Sequence, residues 1–133
     1  MSAKPTMFLV TLMLLCAGCS DPKKSWIREE TQGLNEMTDV MSKITDVASY
    51  EAGKPKLKEL YEAQRARREK LEKELDKMNQ TEKEAFRAEL KSTAEYPKLQ
   101  EAENRYKQER QRLMLMPDVG KRLATEIILP SHD

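Results

Sequence analysis

Histidine is nearly missing from this chain: His132, next to last, is the single imidazole, and the only cysteines are Cys16 and Cys19. There is no His-x-x-x-His pair, and neither zinc nor haem finds a ligand set. Only four glycines occur, so no glycine-rich loop is available to cradle phosphates. The clustered Asp, Asn and Gly of a calcium loop are absent as well. No serine or cysteine nucleophile has a histidine base at hand. The glutamates repeat at helix-surface spacing beside lysines. That pattern reads as a solvated face rather than a glycosidase pair, which needs a concave pocket with one carboxyl buried. An excess of one charge is lacking too. Lys plus Arg number 24 against 23 Asp plus Glu, a formal charge of +1, which excludes a strongly basic nucleic-acid binder and an acidic tail protein. The expectation is a protein without enzyme activity, metal, cofactor or nucleic-acid partner.

Long apolar runs are also scarce. Met7–Leu15 is the longest, well short of the ~20 residues that span a bilayer. Lys4 precedes it, and Leu15-Cys16-Ala17-Gly18-Cys19 follows. A positive start, a short apolar stretch and small residues before a cleavage point mark an export signal. The stretch resembles the lipobox of bacterial lipoproteins, in which small residues precede a cysteine that is lipidated and becomes the first mature residue. Cys16 departs from the family, which usually has Leu there. The resemblance implies a signal peptide over 1–18 and lipid attachment at Cys19; the residues after it read as the lipidated cysteine and a short polar tether over 19–25, then a helical bundle domain over 26–133. It also implies three acyl chains; each buried methylene adds ~0.8 kcal/mol of membrane affinity, and several chains hold where one slips. Cys16 then leaves with the signal and no free thiol remains. Ser20, rather than Asp, follows Cys19, which in that family favours the periplasmic face of the outer membrane over the inner membrane.

Past the signal, β-branched alternation is absent and apolar residues step at helical spacing. The sequence predicts an all-α fold, a small antiparallel bundle of three to four helices with coiled-coil-like seams. A first helix starts near Trp26, capped by Ser25, and Arg28-Glu29-Glu30 fill its first turns. Its stripe is Leu34, Met37, Met41, Ile44 and Ala48, widened by Val40 and Val47; Gly33 costs it ~1 kcal/mol relative to Ala. The first break falls either at Gly53-Lys54-Pro55 or earlier, with Asp46 or Ser49 capping and Pro55 kinking the second helix. The earlier turn is preferred. The stretch from Ile44-Thr45-Asp46 to Pro55-Lys56-Leu57-Lys58-Glu59-Leu60 resembles a pattern in small helical bacterial lipoproteins, a resemblance that implies no activity.

The second helix runs to about Met78 on a seam of Leu57, Tyr61, Gln64, Arg68, Leu71, Leu75 and Met78. Arg68 on that seam needs either a partner or an exit to water, and snorkelling is the expectation; Gln64 beside it is a candidate register pin. Thr81-Glu82-Lys83-Glu84 reads as a capping box for a third helix, with Phe86, Leu90 and Ala94 on one face. Pro97 pushes Tyr96 out of helical backbone, ending that helix near Glu95 or kinking it. A fourth helix from Pro97 shows Leu99, Ala102, Tyr106, Leu113 and Met116, interrupted by Glu109 and stopped by Pro117. Val119, Leu123 and Ile127 then predict a short final helix docked on the bundle. The methionines Met37, Met41, Met78, Met114 and Met116 read as core rather than as an adaptable binding face.

Between positions 51 and 112, 17 basic and 14 acidic side chains fill half of the 62 positions, so the core is expected to be thin and the second helix to protrude beyond the packed part. Two basic clusters stand out: Arg65, Arg67, Arg68 and Lys70, and Arg105, Lys107, Arg110 and Arg112. Phosphate, lipid headgroups or an anionic polymer are their natural ligands, although interspersed glutamates make a plain solvated surface the simpler expectation. The functional expectation is a lipid-anchored, periplasm-facing helical protein acting as an interaction or structural module of the bacterial envelope. Its partners would be the membrane through Cys19, an envelope protein and, through the heptad-like seams, a second copy of the chain. The alternative is a periplasmic holdase for unfolded clients. That alternative resembles helical-cradle chaperones in composition only; the Leu-Thr-x-x-Gln repeat of one such family is absent.

Overall fold

The computed structural model describes residues 21–128; Cys16, Cys19, Ser20 and His132 lie outside them. All regular structure among the described residues is helical. In chain order the elements are α1 (Pro22–Ser42), α2 (Val47–Asp76), α3 (Gln80–Ser92), α4 (Tyr96–Met114) and α5 (Pro117–Leu123), which runs on as a π-helical turn, Ala124–Ile128. No helix among them is long and apolar enough to cross a membrane.

The helix starts follow from capping chemistry, and several differ from expectation. α1 begins at Pro22, where a tether and a Ser25 cap were expected: Asp21 takes the N-cap and accepts from the Lys23 amide at 3.0 Å, with Pro22 in the first turn. Asp-Pro joins a strong N-cap to the residue best suited to the first helical position, so the helix nucleates early. α2 begins at the earlier of the two candidate breaks. Asp46 Oδ1 accepts from the Ser49 amide at 2.8 Å, and Ser49 Oγ accepts from the Asp46 amide at 3.0 Å, a reciprocal capping box. Pro55 stands inside α2 and the helix continues through it. The Glu51 carbonyl left without a helical donor belongs to an exposed residue, where water can replace the bond.

The capping box of α3 is Asn79 with Glu82 at 2.8 and 2.9 Å, not Thr81 with Glu84. Both pairs have the required spacing, and the earlier one adds helical residues at no cost. α3 closes at Ser92, not Glu95, because Thr93 turns extended. With the break made there, Tyr96 becomes the first residue of α4 and Pro97 sits harmlessly in its first turn.

Helix directions are read from the contacts. Glu30 meets Arg67 and Gly53 lies beside Val40, so α2 runs opposite to α1. Arg28 pairs with Glu95, Arg105 donates to Asn35 and Arg112 reaches Met41, so α4 runs along α1. α1 is the central element, packed on both α2 and α4. Its buried face is Ile27, Glu30, Gly33, Leu34, Met37 and Met41, with Ile44 buried in the turn beyond. Ala48, expected on this stripe, is exposed on α2.

The core continues through Tyr50, Leu57, Leu60 and Tyr61 of α2 and Leu99, Ala102, Tyr106 and Leu113 of α4. Val119, Leu123 and Ile127 close it as expected. Gly120 permits that closure: a Cβ there would lie 2.5 Å from the Met114 carbonyl oxygen. Met114 itself is 42% exposed and Leu115 76%, so the methionines before Pro117 are not uniformly core. Beyond Gln64, α2 buries nothing further, and α3 contributes no buried residue. Ala94, expected on the face of α3, is exposed.

Candidate functional site

The polar centre of the molecule is a carboxylate that the sequence pattern hides. Glu30 is 1% exposed. It continues the apolar stripe of α1 toward the N-terminus, since Ile27, Glu30, Leu34, Met37 and Met41 are spaced three and four residues apart. α2 supplies its partners. Gln64 Nε2 donates at 2.8 Å, Arg67 Nε at 3.1 Å, and Arg68 Nε and Nη2 at 3.2 and 3.0 Å. Arg68 therefore does more than snorkel: it remains 54% exposed while its head pairs with the buried carboxylate. Gln64 and Arg68, the polar interruptions in the α2 seam, are set opposite the polar interruption in α1. A buried carboxylate without such donors costs several kcal/mol, and a fully bonded one fixes which residues face each other. Gly33 makes the arrangement possible, because a Cβ there would fall 2.3 Å from Arg67 Nη2. That nitrogen is buried and has no hydrogen-bond partner among the described residues.

Next to this cluster a groove opens between α2 and α4, with a volume of about 340 Å³. Leu34 of α1 and Ile128 of the π-helical turn contribute apolar lining. Arg65 and Arg68 line it from α2, and Lys107 and Arg110 from α4. Two basic clusters far apart in sequence thus share one depression, with Glu103 the one acidic side chain lining it among the described residues. Within the groove Tyr61 and Tyr106 join their hydroxyls, with ring centroids 6.3 Å apart. Burial, reinforced by Tyr106, pushes the Tyr61 phenol well above its usual range. It is a hydrogen-bonding group rather than a base near neutrality.

The remaining members of the two clusters do structural work. Arg112 donates to the carbonyls of Met41 at 2.8 Å and Ile44 at 2.9 Å while Glu109 holds its Nε at 2.8 Å. It satisfies carbonyls at the C-terminal end of α1, a helix with no basic residue in its own last turn. Arg105 donates to Asn35 at 2.6 Å. Lys70 is exposed and outside the groove. Nearer the start of α2, Glu126 bonds Lys54 at 2.5 Å and accepts from Tyr50 at 3.2 Å. The Lys54 hydrogen bond holds the Glu126 carboxyl below its ordinary range.

Among the described residues no group of three or more His, Cys, Asp or Glu is placed to hold a metal ion. Cys19, the expected lipid attachment residue, lies outside them. No protein-family model matches the chain, and neither the curated proteins nor the solved structures yield a match.

Proposed function

We propose that the chain is a non-catalytic, lipid-anchored helical module of the bacterial envelope, facing the periplasm and held at the outer membrane through Cys19. Its long helices α1, α2 and α4 form an up-down-up bundle with coiled-coil-like seams, and the charged faces of α2 and α4 meet a protein partner. The observation that carries this reading is the position of the first helix. Asp21 caps α1 directly after Cys19-Ser20, so an acyl group on Cys19 would seat the bundle at the membrane surface with almost no tether. The apolar side chains of α1 are spent on α2 and α4, which leaves polar, charged faces for contact.

Two measurements test this. Radiolabelled palmitate is expected to enter the native protein and not the Cys19→Ser variant; equal labelling, or none in either, contradicts the anchor. Photo-crosslinking probes on α2 and α4 in the native envelope are expected to yield one discrete adduct that disappears with Cys19→Ser. Many weak adducts would favour the holdase reading instead.

A further inference from the structure

We infer that the groove between α2 and α4 is a binding site for a phosphate or phosphate monoester group. The inference does not rest on lipidation of Cys19. Three observations converge on it.

The first is charge. Arg65, Arg68, Lys107 and Arg110 face one depression, Arg68 shared with Glu30, in which Glu103 is the single acidic lining residue among the described residues, in a chain whose formal charge is only +1. Spaced three residues apart on each helix, the two cations of each wall lie on one helix face.

The second is unused hydrogen-bonding capacity. Among the described residues Lys107 and Arg110 make no ion pair and no side-chain hydrogen bond, and Arg65 spends only one nitrogen, on the Ile127 carbonyl at 3.2 Å. Arg112 on the same helix, in contrast, bonds two carbonyls and a carboxylate.

The third is the tyrosine pair. Tyr61 and Tyr106 are each 9% exposed and share a single hydrogen bond. One hydroxyl proton of the two is consumed by that bond, and the other has no acceptor among the described residues. The groove gives that proton access to an acceptor, whether water or a bound oxygen.

Donors line the groove from both walls, α2 with Arg65, Arg68 and Tyr61 and α4 with Lys107, Arg110 and Tyr106. A tetrahedral phosphate presents three oxygens and up to two charges, and arginine and lysine both bind it well. Leu34 and Ile128 leave apolar lining for the ester's organic part.

The test uses the full chain carrying Cys19→Ser, so that no attached lipid holds it to a bilayer. Calorimetric titration is run with inorganic phosphate and with glycerol 3-phosphate. Flotation is run with phosphatidylcholine vesicles with and without phosphatidic acid, the lipid whose headgroup is a phosphate monoester. Saturable binding is expected, salt-sensitive, and weakened at least about tenfold by Lys107→Gln with Arg110→Gln. The charge-matched pair Lys70→Gln with Lys73→Gln is expected to leave it unchanged. Lys107 and Arg110 bond no other side chain among the described residues, so that variant's thermal unfolding should match the parent, and Tyr61→Phe with Tyr106→Phe should give a smaller loss of binding. Groove-dependent binding to the free esters identifies a soluble phosphate compound, and groove-dependent flotation alone identifies a lipid headgroup. No saturable binding to any probe overturns the inference. So does equal loss in the Lys70 and Lys73 variant, or polyglutamate binding as tightly as glycerol 3-phosphate.

Discussion

The two halves of α2 share one seam spacing and behave differently in the fold. From Val47 to Gln64 the helix buries Tyr50, Leu57, Leu60, Tyr61 and Gln64 against α1 and its neighbours. From Arg65 to Asp76 nothing is buried, and Leu71 and Leu75 reach only an intermediate state. Yet the seam of spacing four and three runs unbroken through both. The difference shows that periodicity reports which face a residue occupies, not whether another element arrives to cover that face. The changeover coincides with Glu30, where buried packing gives way to a carboxylate held by Gln64, Arg67 and Arg68.

The comparison can be broken most severely by truncating the covered half. Leu57 is fully buried, and Leu57→Ala should cost about 2–5 kcal/mol in urea unfolding, whereas Leu71→Ala should cost under about 1 kcal/mol. Equal losses would mean that the outer half is packed as tightly as the inner.

The boundary itself gives the next effect. Arg67, 18% exposed, cannot be withdrawn without leaving one oxygen of a buried carboxylate unpaired, so Arg67→Met should cost about 3 kcal/mol. Arg68→Met should cost less, because water reaches that half-exposed guanidinium. Gly33→Ala sharpens the same point. An exposed helical glycine gains about 1 kcal/mol on conversion to alanine; here the gain should vanish, since the new methyl displaces the Arg67 head.

Acid gives a smaller and more distributed effect. Hydrogen bonds hold Asp46, Glu95 and Glu126 below their ordinary values, from Ser49, Arg28 and Lys54 respectively. Carboxyls lowered in the folded state stabilise it above the ordinary carboxylate range and lose that contribution as pH falls through their lowered values. Thermal unfolding should therefore be level near neutrality and decline on acidification, and Glu126→Gln should flatten part of the decline. A melting temperature that rises with acid would contradict these assignments.

The all-helical class was legible from spacing, and so were most core positions: Leu34, Met37, Met41, Leu57, Tyr61, Leu99, Tyr106 and Leu123 sit where their periodicity put them. The early break at Asp46 was legible from capping chemistry. The starts of α1 and α3 were less so, because Asp21-Pro22 and Asn79 compete with later caps of the same quality, and local rules do not rank them. Two features needed the tertiary arrangement. Glu30 carried a signal, its place in the apolar stripe, but an acid near a helix start also suits the helix dipole, and that local role masked the buried one. Arg112 could be told from Arg110 only once α4 lay along α1 and brought its head to the last carbonyls of that helix.

Native-state hydrogen exchange along α2 tests the central contrast most directly. Amides from Leu57 to Gln64 should exchange only through global unfolding, and those from Lys70 to Asp76 through low-energy local opening, with the step falling at the level of Glu30. Protection that stays uniform to Asp76 would contradict the account, since the outer half of α2 would then be covered as fully as the inner.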